Sequence, residues 1–322
     1  MLPAVHSPVV TALLPVVLLI ALGWVAGRRG WIGGAAVREL SNLIFLLLAP
    51  ALLFRSMSTV QVQQLSLRPV AAYFITAGLI YAATLAIRGF NREAAVLALA
   101  NTYSNTVMIG IPLIGLAYGA PGMVVLLTLV SLHSLILLTG ATVVLELAAA
   151  REAQAAGAGG RRRIVATVGR ALRNAILHPV VLPVIAGLAF AQTGWTLPEV
   201  IDKPLALLGQ AFSPIALVLV GITLAQTPVG LHLRGATLQA LVKNVVHPLG
   251  VLAIGTLLGV HGLPLAVMVV AASMPIGANV FMFAQRYRVA EELVTASVVV
   301  STLLALATVS LALAGAARLA GG

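Results

Sequence analysis

Long apolar segments separated by short polar gaps follow one another along almost the whole chain. A helix of about 20 apolar residues spans the ~30 Å hydrocarbon core of a bilayer. These segments are apolar on every face, and a backbone in lipid must bond within its own segment, so the pattern favours helices over barrel strands. The sequence therefore predicts an all-α integral membrane protein with ten transmembrane helices, called segments 1 to 10. They cover residues 9–27, 37–54, 70–87, 94–116, 123–147, 176–191, 205–224, 238–258, 265–283 and 293–314.

The longest gap, residues 148–173, is rich in glycine, alanine and arginine and is predicted to be a linker. It would separate two repeats of five helices, residues 1–147 and 174–322. Because five is an odd number, the two repeats must have opposite orientations in the membrane. The sequence therefore predicts an inverted repeat, an arrangement that many secondary transporters use.

The distribution of lysine and arginine predicts how the chain is oriented. If the segments alternate in direction, fourteen of these residues fall on one side and four on the other, and cytoplasmic loops carry the excess. The larger group is Arg28, Arg29, Arg38, Arg88, Arg92, Arg151, Arg161, Arg162, Arg163, Arg170, Arg173, Arg234, Arg286 and Arg288; the smaller is Arg55, Arg68, Lys203 and Arg318. We therefore expect a multi-pass protein of the cell (inner) membrane, with both termini outside and the 148–173 linker in the cytoplasm.

The composition agrees with a membrane protein and narrows its chemistry. Hydrophobic residues make up 61% of the chain and charged residues only 8%, whereas soluble domains carry roughly 25% charged residues. The net charge of +11 comes from arginines in the short gaps, so no nucleic-acid partner is expected. The chain has no cysteine, and the segments contain neither paired aspartates nor a zinc-protease motif. We expect no catalytic residues, no metal and no cofactor.

Segments 4 and 9 are unusual because proline, glycine and side-chain amides lie near their middle. Proline removes a backbone donor and glycine relaxes the dihedral limits, so both segments are predicted to unwind there. Free N–H groups and the positive ends of half-helix dipoles would then meet near the midplane and favour a carboxylate. The predicted substrate-binding residues are Asn101, Asn105, Thr106, Pro112, Pro275, Gly277 and Asn279. In the alternative interpretation, the prolines kink packed helices and the amides bond to neighbouring helices.

Lys243 is the one full charge well inside a predicted span, and His247 lies one turn further on the same face. Burying an ammonium is costly, so Lys243 and His247 are candidates for anion attraction or for a proton-linked switch. Lys243 is only about five residues into segment 8 and could instead extend to the cytoplasmic interface. His133 and His178 are interpreted as structural.

Three motifs resemble those of the auxin efflux carrier family. The run 104–113, SNTVMIGIPL, is similar to the family's N-T-x-x-M-G-I-P-L signature; residues 50–54, PALLF, and 284–287, AQRY, are similar to two further family patterns. The resemblance covers nearly the whole chain. The family includes plant auxin exporters and bacterial carriers of malonate and related acids.

This resemblance implies a fold like that of the NhaA antiporter and the bile-acid symporters, with ten helices as two inverted repeats and broken, crossing helices 4 and 9. Helices 1, 2, 6 and 7 would form a scaffold and homodimer contact. Helices 3–5 and 8–10 would form a transport domain that moves as an elevator. Carried over by position, Asn105, Pro112, Pro275 and Asn279 would lie at the crossover.

Two departures from the plant members bear on the substrate. Ser104 stands where they have a proline, and Ile276 stands where they have a glutamine. A polar side chain that could face an aromatic acid is therefore absent, and a small aliphatic acid fits at least as well as auxin. The sequence thus predicts a secondary transporter of a small organic anion, either a malonate- or malate-like carboxylate or an auxin-like acid. The alternatives are a membrane sensor or scaffold subunit and a membrane-embedded enzyme.

Overall fold

The computed structural model describes residues 8–60, 66–155, 181–226, 232–277 and 279–320, and within these ranges the secondary structure is helical apart from one isolated bridge between Ser104 and Ile276. The helices are α1 (Pro8–Arg28), α2 (Gly34–Leu43), α3 (Ala49–Met57), α4 (Leu67–Arg88), α5 (Arg92–Ala100), α6 (Ile111–Ala155), α7 (Val181–Ala191), α8 (Glu199–Gln226), α9 (Leu233–Leu241), α10 (His247–Leu257), α11 (Gly262–Ser273), α12 (Asn279–Tyr287) and α13 (Glu291–Ala320). Three π-helical turns, Ile44–Leu48, Thr106–Gly110 and Val242–Val246, connect or begin helices in this series.

Six helices in the described part of the chain are long and apolar enough to cross a membrane, which confirms a helical membrane protein. They are Gly34–Met57, Leu67–Arg88, Thr106–Glu152, Glu199–Gln226, Leu233–Leu257 and Glu291–Ala316. Shorter apolar helices occur at Leu14–Arg28, Leu182–Ala191 and Gly262–Ser273. The helix of segment 5 continues to Ala155, so the predicted linker begins as helix. The rest of that linker, with its arginine run, and His178 lie outside the described residues.

Segments 4 and 5 are joined across a backbone kink inside α6. Gly119 there has φ 59° and ψ −152°, a conformation that side-chain-bearing residues rarely adopt. Pro121 follows two residues later and cannot supply a helical N–H donor. The short polar gap of the sequence is thus a sharp change of direction.

Each of the three π-helical turns lies just ahead of a proline. Pro50, Pro112 and Pro248 each follow the last residue of a turn by two positions. A proline ring collides with the carbonyl four residues earlier, and a widened turn gives that carbonyl room. The backbone bonds span five residues at these places, as in His247 N–H to the Val242 carbonyl. These prolines therefore rotate the side chains before them relative to a regular helix.

Two short helices, α5 and α11, form the buried centre. All residues of α5 from Ala94 to Ala100 and all of α11 from Leu265 to Ser273 are buried. Each of these helices ends in an unwound stretch, residues 101–105 after α5 and 274–277 after α11. Both interruptions predicted in segments 4 and 9 are therefore present.

At the periphery, α1 and α8 pack with their backbones in contact. A Cβ added at Gly23 would lie 2.0 Å from the Val218 carbonyl oxygen, and one added at Gly221 would lie 2.0 Å from that of Ile20. Only glycine permits this approach, in keeping with small residues at membrane helix contacts.

Candidate functional site

The two unwound stretches cross and bond to each other through their backbones. The Asn105 N–H donates to the Pro275 carbonyl at 2.8 Å, and the Gly277 N–H donates to the Tyr103 carbonyl at 2.9 Å. Together these bonds make an antiparallel bridge around Ser104 and Ile276. Unwound backbone buried in a membrane protein must find such partners. The crossing therefore satisfies groups that neither stretch could satisfy alone.

Gly277 allows the two stretches to approach this closely. A Cβ at Gly277 would lie 2.6 Å from Cδ1 of the Tyr103 ring and 3.3 Å from the Ser104 carbonyl oxygen. Both distances are shorter than ordinary van der Waals contacts. The need for glycine here comes from space between the stretches rather than from a positive φ.

A small cavity of about 30 Å³ lies at the crossing and brings together four of the predicted site residues. A volume of this size has room for about one or two water molecules. Its lining contains no charged side chain. The lining residues are Phe45, Tyr103, Ser104, Asn105, Thr106, Val107, Met108, Ser134, Gly277 and Asn279.

The two asparagines at this cavity have different bonds. Asn105 Oδ1 accepts from the Met108 N–H at 3.2 Å and so caps the half-helix that begins at Thr106. Its amide nitrogen has no hydrogen-bond partner among the described residues. Asn279 Nδ2 donates to the Tyr103 hydroxyl at 3.0 Å. Asn105 therefore offers a free donor beside a helix N-terminus, whereas Asn279 is tied across the crossing.

Pro112 lies outside the small cavity and lines a larger one of about 1040 Å³ between α6 and the helices α1, α3 and α8. The lining of this larger cavity is mostly apolar. Arg55 and Asp202 also line it and form a two-pronged ion pair at 2.7 and 3.0 Å, which ties α3 to α8. The large cavity therefore reaches the half-helix that starts at the crossing.

Two predicted substrate-binding residues line neither cavity: Pro275, whose carbonyl takes part in the crossing, and Asn101. Asn101 follows the last residue of α5, is buried, and its Nδ2 donates to Thr84 Oγ1 at 3.1 Å. Its Oδ1 is buried without a partner among the described residues. Its position matches the alternative in which an amide bonds to a neighbouring helix, and its role in binding stays a prediction.

Three further polar residues, Tyr73, Ser134 and Ser301, support the crossing and were missed from the sequence. The Tyr73 hydroxyl lies 2.7 Å from Ser104 Oγ and 3.1 Å from His133 Nε2. Ser301 Oγ accepts from the Ile276 N–H at 3.1 Å, and Ser134 Oγ lies 2.9 Å from the Tyr103 hydroxyl. Each is a polar group inside an apolar segment, which is the signal that could have found it.

Lys243 lies beneath the second unwound stretch and does not extend to an interface. It is 0% exposed, and its Nζ donates to the carbonyls of Ala272 at 2.6 Å and Met274 at 2.8 Å. His247 is also fully buried, and its ring packs against Tyr73 with centroids 4.7 Å apart. Neither nitrogen of His247 has a partner among the described residues. The interfacial interpretation of Lys243 is therefore wrong, because the ammonium is held at the centre of the fold.

Buried, interrupted helices that meet inside a bundle of apolar helices are the arrangement with which membrane transporters hold solutes and ions. Residues 8–313 match the sequence model of a family described as "Membrane transport protein". The chain belongs to this family, that of the auxin efflux carriers.

Two curated relatives agree with this assignment. The chain is 31% identical over 307 residues to a "Putative malonate transporter" of Rhizobium meliloti (strain 1021), with 92% of each chain covered. It is 26% identical over 241 residues to "Auxin efflux carrier component 8" of Arabidopsis thaliana, covering 63% of this chain and 66% of the relative. The resemblance found in the motifs is thus confirmed at the level of the family.

Proposed function

We propose that this protein is a secondary transporter that carries a small carboxylate through the crossing of its two unwound stretches. The observation that carries the proposal is the free amide of Asn105 beside the N-terminal turn of a half-helix, at a cavity in the buried centre. Backbone donors and a positive dipole end attract an anion without a charged side chain. A site of this kind holds an anion weakly enough to release it, as a carrier requires.

The proposed architecture is a ten-helix inverted repeat that works by elevator-type alternating access. Helices α1, α2, α3, α7 and α8 would form the scaffold and the homodimer contact, and the remaining helices the transport domain. The large cavity supports this division, because it lies between α6 and three of the proposed scaffold helices. The arginine distribution supports placement in the inner membrane with both termini outside.

The proposed substrate is an aliphatic acid such as malonate. The relative whose alignment covers 92% of both chains is named "Putative malonate transporter". The buried side chain next to Pro275 is Ile276 and offers no polar group to an aromatic acid. In this conformation the cavity at the crossing is too small for a dicarboxylate, so binding would require the cavity to widen.

The test is uptake of radiolabelled malonate by the purified chain in proteoliposomes, with Asn105→Asp as the decisive variant. Aspartate keeps an oxygen that caps the Thr106 turn, so thermal stability should be retained. It also replaces the free amide donor with a negative charge, so malonate flux should fall about tenfold or more. Gln192→Ala, at an exposed position after α7, is the matched control and should transport normally.

Wild-type malonate flux from a folded Asn105→Asp protein would overturn the crossing as the binding site. No flux of malonate or related acids by the purified wild-type chain would favour the sensor or scaffold alternative. Product formation from the acid without transport would favour an enzyme.

A further inference from the structure

A single side chain from a neighbouring element, Lys243, satisfies two of the backbone carbonyls at the C-terminal end of α11. The last carbonyls of a helix have no partners within the helix and must be satisfied elsewhere. The Val270 carbonyl accepts from Ser273 Oγ at 2.8 Å, and that of Ala271 accepts from the Met274 N–H at 3.4 Å. The Ala272 and Met274 carbonyls both accept from Lys243 Nζ. The lysine therefore satisfies one carbonyl within α11 and one in the unwound stretch that follows it.

Lys243 is presented to these carbonyls by the π-helical turn Val242–Val246, which precedes Pro248. It has no acidic partner: the ion pairs among the described residues involve Glu152, Glu199, Asp202 and Glu292. The basic and phenolic groups closest to it in the fold, His247, His133 and Tyr73, provide no negative charge at neutral pH. Among the described residues, the negative dipole end of α11 is the group that faces the ammonium charge.

The bond lengths of 2.6 and 2.8 Å are those of charge-assisted donors. Carbonyls of unwound backbone and half-helix C-termini are also the ligands with which transporters coordinate cations. The Lys243 ammonium thus occupies a place whose ligands suit a free cation. The crossing is one residue away, because Pro275 accepts from the Asn105 N–H.

We propose that Lys243 is a tethered counter-cation that fills a cation-binding site formed by the Ala272 and Met274 carbonyls. While the side chain is present, no soluble cation binds there. Shortening the side chain exposes the site to a free ammonium ion. The proposal concerns the resting structure. Only the loss of malonate flux expected when Lys243 is replaced rests on the proposed carboxylate transport.

The test is chemical rescue measured as thermal stability of the purified full-length chain. Lys243→Ala removes the three distal methylenes and the ammonium, which together correspond to n-propylammonium. This variant should lose about 5 °C or more in Tm and regain most of that loss in n-propylammonium chloride, but not in choline chloride of the same concentration. Wild type should not respond to either salt.

Two control variants separate the proposal from a packing effect. Lys243→Met fills the space without a charge, so it should lose stability and gain nothing from n-propylammonium. Lys203→Ala removes an exposed lysine paired with Glu199, so it should behave as wild type. If Lys243→Ala cannot be purified in choline chloride, the protein is extracted in n-propylammonium chloride instead. Recovery of monodisperse protein under that condition counts as rescue.

A Lys243→Ala protein that n-propylammonium neither stabilises nor restores to a purifiable form would overturn the proposal. A Lys243→Met protein as stable as wild type would also overturn it. So would sodium binding in wild type, seen as a Tm that is higher in sodium chloride than in choline chloride, if Lys243→Met shows no such difference. No substrate enters these measurements. A failed malonate assay would therefore contradict the proposed function and leave this inference standing.

Discussion

The two unwound stretches of the protein meet in one place but are stabilised by different chemistry. After α5, Thr102 Oγ1 donates to the carbonyls of Ala98 at 2.9 Å and Leu99 at 3.3 Å, and the Tyr73 hydroxyl lies 3.4 Å from the Thr102 carbonyl. After α11, the ammonium of Lys243 donates to the carbonyls of Ala272 and Met274. The side-chain donors at the first helix end are all neutral hydroxyls, whereas at the second a full charge joins the hydroxyl of Ser273.

This difference teaches that an interrupted helix and the charge at its broken end are separate properties. The second unwound stretch contains Pro275 and Gly277, whereas the first, residues 101–105, contains neither proline nor glycine. Each end has a local donor, Thr102 or Ser273, and a second donor from a neighbouring element: Tyr73 from α4 or Lys243 from the turn before α10. One side of the crossing is therefore neutral and the other is cationic.

Removing the cation should have the largest effect on stability. In Lys243→Met two buried carbonyls lose their donors, at about 1–3 kcal/mol each. We expect unfolding free energy to fall by about 2–5 kcal/mol and malonate flux to be lost. Denaturation monitored by tryptophan fluorescence in detergent would measure the first effect. An unchanged transition midpoint would show that the second helix end does not need a cation.

Substitution of Gly277 should affect both stretches at once. In Gly277→Ala the added Cβ would press on the Tyr103 ring at 2.6 Å, and overpacking of this kind costs about 1–3 kcal/mol. The bridge between Ser104 and Ile276 should open. Malonate flux should fall by a larger fraction than the free energy of unfolding. Amide hydrogen exchange of residues 103–106 is the measurement, and retained protection there would contradict the expected separation.

Removing the hydroxyl at the neutral end should cost less than removing the ammonium. Tyr73→Phe keeps the ring against His247 and takes away one hydroxyl, with an expected loss of about 1–2 kcal/mol. Thermal unfolding of this variant beside Lys243→Met compares the two ends directly. Equal losses would mean that the charge of Lys243 makes no special contribution.

The smallest effect is expected for Thr102→Val, a change of similar shape. The Leu99 carbonyl keeps the Tyr103 N–H as a donor at 2.8 Å, so the loss should be about 0.5–1.5 kcal/mol. Malonate flux should remain close to that of wild type. A large loss of flux at unchanged Tm would place Thr102 in the transport path instead of at a helix end.

Much of the candidate site follows from local sequence. Proline and glycine act on their own backbone, so Pro275 and Gly277 mark the interruption in segment 9 before any coordinates are seen, whereas Pro112 marks the π-helical turn that follows the interruption in segment 4. The capping role of Asn105 is also local, since its partner Met108 is three residues away. By contrast, Asn101 belongs to the same polar run but bonds to Thr84 of α4, and sequence spacing cannot separate these two asparagines.

The sequence by itself determined that the chain is a helical membrane protein, which family it resembles and where two of its helices break, because hydropathy and backbone restrictions act over a few residues. Only the tertiary structure decided which donors reach the broken ends. Lys243 meets carbonyls 29 and 31 residues away, and Ser301 meets Ile276 across 25 residues. Such partners depend on how helices pack around α5 and α11, and packing is a property of the whole bundle.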